Sequence, residues 1–169
     1  NAAVRCRGIQ YEQVLLADFG LATDRSRRRS AALERAEDGN ILGSPSYMAP
    51  EQALGDPRRV DSRCDLYGLG ATLYYALAGR PPFGASSFTD VVEQVLNGKF
   101  VAPSRLRRGV NPDLEAICLK AMAREPEDRY QSASEMARDL RHAITGLRVA
   151  ARRYGPWETV SRAIACRRE

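Results

Sequence analysis

The sequence is poor in the residues that build most metal centres. Its four cysteines (Cys6, Cys64, Cys118 and Cys166) lie far apart, and His142 is the single histidine. No CxxC pair or Cys/His cluster exists, so a zinc site is not expected. Isolated thiols in a chain of this size fit reduced cysteines of a cytosolic protein better than a disulfide framework. His142 falls in a predicted helix among charged residues, where a solvated surface role is expected.

Lysine, aromatic residues and long apolar runs are also scarce. Lys99 and Lys120 are the only lysines, so the net charge of +5 comes almost entirely from arginine. Aromatic residues make up 7% of the chain and do not alternate with the basic ones, which argues against a nucleic-acid partner. No run approaches the ~20 apolar residues of a membrane span, and the first residues do not form a secretory leader. A cytoplasmic location is therefore expected for these residues.

The remaining composition is that of a globular domain with helices. The 169 residues are 44% apolar and 28% charged, which is enough for one hydrophobic core. Apolar residues at helical spacing predict a buried central helix over residues 61–78, ended by Gly79. Before it, Ala2–Val4 and Val14–Leu16 predict a short β-hairpin. The fold class predicted is mainly α.

Three amphipathic helices are predicted after the central one. They cover Thr89–Asn97, Pro112–Ala123 and Ala133–Ile144. Thr89, Asn111 and Ser132 are the predicted N-caps. The inward-facing residues of the last helix are predicted to be Met136, Leu140, Ala143 and Ile144. The basic stretch from Leu147 onward is expected to pack loosely.

Two short motifs bracket a long irregular segment. Asp18-Phe19-Gly20 follows the apolar run Val14–Ala17, and Ala49-Pro50-Glu51 closes the segment 18–51. A carboxylate that follows a buried strand and precedes glycine can point into a cleft, where its oxygens suit magnesium. Three further stretches follow in order: Asp65-Leu66-Tyr67-Gly68-Leu69-Gly70, Arg80-Pro81-Pro82-Phe83 and Pro126-Glu127-Asp128-Arg129-Tyr130.

This ordered set of motifs resembles the large lobe of a bacterial Ser/Thr protein kinase. The resemblance covers residues 1–146 and makes 18–51 the activation segment. It implies a protein-kinase-like C-terminal lobe without the N-terminal lobe, followed at 147–169 by a basic tail. That tail resembles a juxtamembrane segment, which favours anionic lipid and implies membrane anchoring beyond residue 169; a solvated linker explains it equally well.

The resemblance assigns the chemistry of phosphoryl transfer to a few positions. Asp18 would bind the Mg²⁺ that bridges the ATP phosphates. Asn1 would be the Asn that ends the family's HRDxxxxN loop and binds a second Mg²⁺; an arbitrary start of the sequence is the alternative. Ser44 would contribute its hydroxyl in the loop that receives the substrate, or it is an ordinary turn serine. ATP and Mg²⁺ are the implied cofactors, and Ser/Thr residues of proteins the implied substrates.

Other positions would support the site without touching the reaction. Phe19 would pack against helix C and report active or inactive states, or it is a simple core aromatic residue, and Gly20 lets the preceding carboxylate point freely into the cleft. Glu51 and Arg129 would form a buried ion pair, and Asp65 would accept hydrogen bonds from backbone amides of the catalytic loop. The family usually has Trp where this chain has Tyr67, and Ser where it has Gly68.

The activation segment also contains candidate regulatory residues. Thr23, Ser26 and Ser30 are candidate phosphorylation sites, and Ser30 follows three arginines with which its phosphate could pair. A solvated basic loop is the alternative. Asp38 stands where many bacterial relatives have threonine, so a fixed negative charge is expected to replace phosphorylation in part.

Several parts of the family's catalytic machinery do not occur in the 169 residues. There is no Gly-rich loop, no VAIK-like lysine and no HRD motif with its catalytic Asp. Phosphoryl transfer needs these parts together. The chain by itself is therefore expected to be inactive, as a piece of a Ser/Thr kinase. A non-catalytic, pseudokinase-like binding module is the alternative function.

Overall fold

The computed structural model describes residues 45–55, 58–85 and 87–155, and within these ranges the chain is helical and has no β-strand. The helices are α1 (Pro50–Ala53), α2 (Arg63–Ala78), α3 (Phe88–Asn97), α4 (Pro103–Leu106), α5 (Pro112–Ala121) and α6 (Ala133–Ile144). Short 3-10 turns at Pro45–Tyr47 and Pro126–Asp128 precede α1 and α6. The predicted helical class is confirmed, and the predicted hairpin lies outside the described residues.

Helix α2 is the element around which the others pack. It contacts α5, α4 and the 3-10 turn Pro45–Tyr47, with α5 as its most extensive neighbour. Its buried side chains join two hydrophobic clusters, one containing Tyr67, Tyr74, Phe83 and Val95, the other Leu66, Ile117 and Met136. The prediction of a buried central helix is confirmed for the sides of α2 that join these two clusters. Leu69 and Tyr75, on its remaining surface, are half exposed.

The ends of the helices follow from capping chemistry. The side chains of Asn111 and Ser132 accept hydrogen bonds from the backbone N–H groups of Asp113 and Glu135, so both predicted N-caps are confirmed. Gly79, with φ of 75°, ends α2 as predicted. Side chains rarely adopt this left-handed conformation, so glycine is favoured there.

Three details of the predicted helices differ from the structure. Helix α3 begins at Phe88, because the hydroxyl of Ser87 accepts a hydrogen bond from the backbone N–H of Asp90 and Thr89 lies inside the helix. Ile144, the last residue of α6, was expected to face the core but is 82% exposed. Helix α5 also ends earlier than predicted, at Ala121.

Residues 147–155, which we call the C-terminal strap, pack against the fold. Val149 is 2% exposed and belongs to the same hydrophobic cluster as Ile117. The buried carboxylate of Asp139 accepts hydrogen bonds from the backbone N–H groups of Ala150 and Ala151 at 2.9 and 3.0 Å. The expectation of loose packing after residue 146 is therefore wrong for the strap, whose backbone is held by a side chain of α6.

Candidate active-site region

Most of the residues predicted to take part in phosphoryl transfer lie outside the described residues. These are Asn1, Asp18, Phe19, Gly20, Thr23, Ser26, Ser30 and Ser44. Their roles stay predictions, and no reaction step is derived for them. Across 45–55, 58–85 and 87–155, no cluster of His, Cys, Asp and Glu side chains could hold a metal ion. The described part of the region centres on Glu51 and Arg129.

Glu51 and Arg129, for which the resemblance implies an ion pair, form one in the structure. The two guanidinium NH groups of Arg129 donate to the two carboxylate oxygens of Glu51 at 2.6 and 2.8 Å. The Arg129 side chain is 0% exposed and that of Glu51 is 5% exposed. This bidentate geometry is the strongest form of the arginine–carboxylate interaction, and it joins α1 to the turn before α6.

The remaining N–H groups of Arg129 are also satisfied. Its Nε donates to the carbonyl oxygen of Ala123 at 2.8 Å, and its terminal nitrogens donate to the carbonyls of Arg124 and Arg63. All five donors of the guanidinium therefore have acceptors, which a buried charge requires. Tyr67 lies 4.9 Å from the guanidinium carbon and provides a cation–π contact where the family usually has Trp.

Cys64 is a third member of this buried group. Its thiol donates to Oε1 of Glu51 at 2.9 Å. Burial, together with this hydrogen bond, raises the pKa of the Cys64 thiol to about 12. Burial alone would raise the pKa of Glu51, but the hydrogen bonds from Arg129 and Cys64 outweigh it and hold that pKa below its ordinary value. The carboxylate is therefore charged at neutral pH.

The ion pair fixes the chain just after the predicted substrate-receiving loop. Ala49 is fully buried, and its backbone N–H donates to the side chain of Gln52 at 3.0 Å. Ser46 is 9% exposed, and its turn contacts both α2 and α3. Residues 45–51 thus pack against α2 and α3.

A shallow depression lies between this fixed segment and α3. It measures about 290 Å³ and is lined by Pro45 and Ser46 on one side and by Gly84, Ala85, Ser87, Phe88 and Val91 on the other. Its lining is mixed, with backbone, hydroxyl and apolar groups, and it is open to solvent.

Asp65 lies on the first turn of α2 and is exposed. The catalytic-loop amides that it is predicted to accept bonds from belong to a motif absent from the 169 residues. Its role stays a prediction.

The comparisons with known proteins agree with this architecture. The protein kinase domain family matches residues 9–143, and the chain belongs to that family. Among its relatives, the Ser/Thr-protein kinase PknB of Mycobacterium leprae is 39% identical over 133 residues, covering 79% of this chain and 20% of the relative. PknB of Mycobacterium tuberculosis H37Rv is 40% identical over 127 residues, covering 75% and 20%.

A relative with a different named specificity is equally similar. The tyrosine-protein kinase MasK of Myxococcus xanthus is 42% identical over 125 residues, covering 74% of this chain and 18% of that protein. The chain spans about a fifth of the length of the curated relatives it matches. Sequence identity therefore shows the family, and relatives named for Ser/Thr and for Tyr phosphorylation are about equally similar to this chain.

Proposed function

We propose that this chain is the C-terminal lobe of a Ser/Thr protein kinase, which transfers the γ-phosphate of ATP to Ser or Thr hydroxyls of proteins. The observation that carries the proposal is the buried pair of Glu51 and Arg129. It holds residues 45–51 against α2 and α3, beside a depression suited to a peptide. The stretch Tyr47–Gln52, which reads YMAPEQ, favours the Ser/Thr type over the Tyr type.

The nucleotide and metal belong to the same proposal. Asp18 and Asn1 are the residues that would hold Mg²⁺, which neutralises charge on the phosphoryl group during transfer. Ser44 would contact the incoming hydroxyl. The described residues would support the acceptor peptide, because the buried ion pair ties Glu51 of α1 to Arg129.

The isolated chain is proposed to be inactive, because its 169 residues contain neither the HRD motif nor a VAIK-like lysine. Membrane anchoring of the parent through a segment beyond residue 169 is also a proposal. None of the helices between residues 45 and 155 that the structure describes is long and apolar enough to cross a membrane.

The test compares two proteins in one assay. The parent protein and the 169-residue chain are incubated with labelled ATP, Mg²⁺ and a Ser/Thr/Tyr-containing acceptor protein, followed by phosphoamino-acid analysis. We expect phosphoserine or phosphothreonine from the parent, no product from the chain, and loss of product in the parent carrying Asp18→Ala. Exclusive phosphotyrosine would overturn the assigned specificity. ATP binding without transfer by the parent would favour the pseudokinase-like module instead.

A further inference from the structure

A second concave surface lies between α6 and the C-terminal strap, and it shares no lining residue with the depression beside α3. It measures about 550 Å³. We call it the arginine groove after the residues that define it: Arg138, Asp139, His142, Arg148, Arg152 and Tyr154. Its lining is strongly cationic, whereas the proposed kinase function uses none of these side chains.

The negative charges near the groove are already engaged. Asp139 is 1% exposed, and its oxygens accept from the N–H groups of Ala150 and Ala151 and from the hydroxyl of Tyr130. Asp113, also 1% exposed, accepts from Arg152 at 2.8 Å. Asp113 therefore pairs with Arg152, and Asp139 binds backbone N–H groups of the strap. Neither carboxylate pairs with Arg138 or Arg148.

Arg138 and Arg148 are the surplus cations. Both are exposed, and neither guanidinium has a carboxylate partner among the described residues. Arg148 lies over the ring of Tyr154 at 5.1 Å. Stacking uses the face of a guanidinium and leaves its N–H edges free to donate. It also holds the side chain in place, which lowers the entropy lost on binding an anion.

His142 fixes the strap side of the groove. Its Nδ1 lies 2.9 Å from the carbonyl oxygen of Arg148. A carbonyl only accepts, so Nδ1 carries the proton of this bond. The bond ties α6 to the strap at the residue that carries one of the two surplus cations.

We propose that the arginine groove binds a phosphoserine or phosphothreonine side chain of a protein. Clusters of arginine that donate several charge-assisted hydrogen bonds are a recurring means of recognising phosphorylated side chains. A dianionic phosphate matches the surplus charge of Arg138 and Arg148. The groove is concave and walled by a helix and the strap, which suits one projecting side chain better than a flat layer of lipid headgroups. This choice of partner rests on the proposed function, whose product is a phosphorylated Ser or Thr.

The test measures binding by the 169-residue chain and does not require transferase activity. A short fluorescein-labelled glycine/alanine peptide with one central phosphoserine is titrated with the chain, and fluorescence anisotropy is recorded. The unphosphorylated peptide, inorganic phosphate as competitor, and vesicles of phosphatidylglycerol or phosphatidylcholine form the other arms. We expect the phosphopeptide to bind at least about tenfold more tightly than its unphosphorylated form.

Matched variants locate the binding site. Arg138→Gln with Arg148→Gln should weaken binding about tenfold or more, because each lost donor made a charge-assisted hydrogen bond. Arg107→Gln with Arg108→Gln removes the same charge from exposed arginines between α4 and α5 and should change binding less than about twofold. Arg138 is exposed and makes no hydrogen bond or ion pair with the other described residues, so Arg138→Gln alone should change binding without changing stability.

Three results would overturn the proposal. They are equal binding of both peptides, equal effects of the two double variants, and tight binding to phosphatidylglycerol vesicles with none to the phosphopeptide. The last would assign the groove to a membrane surface. If the chain does not bind the phosphopeptide but the parent transfers phosphate, the kinase proposal still holds. If the chain binds the phosphopeptide but the parent does not transfer phosphate, only the kinase proposal is overturned.

Discussion

At the scale of single residues, Arg129 carries the largest energetic consequence. Replacing it by Met removes the charged partner of the buried Glu51 carboxylate and leaves the Ala123 and Arg124 carbonyls without the donors that Arg129 supplies. Loss of one partner of a buried pair typically costs about 3–5 kcal/mol. We expect Arg129→Met to lower the free energy of unfolding by about that amount, measured by urea denaturation.

Arg124→Met provides the matched control. Arg124 is 64% exposed, and its contact with Glu125 is 3.8 Å long, so the loss should be small. Equal losses in the two variants would contradict the structural importance of the buried ion pair. The double variant Glu51→Leu/Arg129→Met should recover part of the stability, since it leaves no unpaired charge.

Cys64 is expected to be chemically inert in the folded protein. Its pKa of about 12 leaves almost no thiolate at neutral pH, and the thiolate is the reactive form. Iodoacetamide at pH 7.5, followed by peptide mass spectrometry, should leave Cys64 unmodified in buffer and alkylate it in urea. Rapid alkylation in buffer would show that the group around Glu51 opens readily.

The residues that sequence analysis missed are polar residues whose partners lie far along the chain. Asp113 and Asp139 lie on the inward faces of their helices. An acidic residue on such a face was the one feature of the sequence that could have indicated a buried carboxylate. Both carboxylates obtain hydrogen-bond donors from the strap. Arg152 donates to Asp113, which lies 39 residues earlier in the sequence. The backbone N–H of Ala151 donates to Asp139, which lies 12 residues earlier. No local pattern contains such pairings. Cys64 was likewise treated only as an isolated thiol.

At the scale of elements, the close approach of α2 to α5 depends on Gly70. A Cβ atom at Gly70 would lie 2.7 Å from the Cβ of Ala121, whereas one at Gly68 would meet only the Tyr47 carbonyl oxygen at an ordinary 3.6 Å. Gly70→Ala should therefore destabilise by about 1–3 kcal/mol through overpacking. Gly68→Ala should stabilise by about 0.5–1 kcal/mol through helix propensity.

Thermal or urea unfolding of both variants measures the change in the free energy of unfolding, which should be a decrease for Gly70→Ala and an increase for Gly68→Ala. Equal shifts in the same direction would show that α2 and α5 can separate to accommodate a methyl group. Both substitutions remove a glycine from the same helix, so their difference isolates the packing contact.

Helices were predictable where periodicity and caps agree. Asn111 and Ser132 were identified because their side chains act on backbone groups two or three residues away. The start of α3 was misplaced because Ser87 and Thr89 are both good caps, and only the three-dimensional path of the chain selects one. The strap was not predictable from local pattern, because its backbone is held by hydrogen bonds to the side chain of Asp139 in α6.

At the scale of the whole molecule, stability should fall in acid. The pKa of Asp139 would be raised by burial, but the hydrogen bonds from Ala150, Tyr130 and Ala151 bring it below its ordinary value of 3.8. A carboxyl with a lowered folded-state pKa stabilises above the unfolded pKa, and this contribution is lost as pH falls through the folded pKa. The pKa of Glu51 is lowered from 4.5 in the same direction.

Urea unfolding between pH 7 and pH 2 should therefore show declining stability below about pH 4.5. Asp139→Asn should lower stability at neutral pH and make this decline shallower. Asp90→Asn, which removes an exposed charge from the first turn of α3, should lower stability at neutral pH much less than Asp139→Asn does. A wild-type profile that is flat in acid would contradict the lowered pKa values.

The ion pair between Glu51 and Arg129 also constrains the order of assembly. Its partners are 78 residues apart in sequence, and α2, α3 and α5 all lie between them. Because contacts that are distant in sequence tend to form after local ones, we expect the pair to form late, after the local helices and their first contacts. An interaction that is absent from the transition state slows unfolding without accelerating folding. The ion pair therefore lengthens the lifetime of the folded lobe more than it speeds its formation.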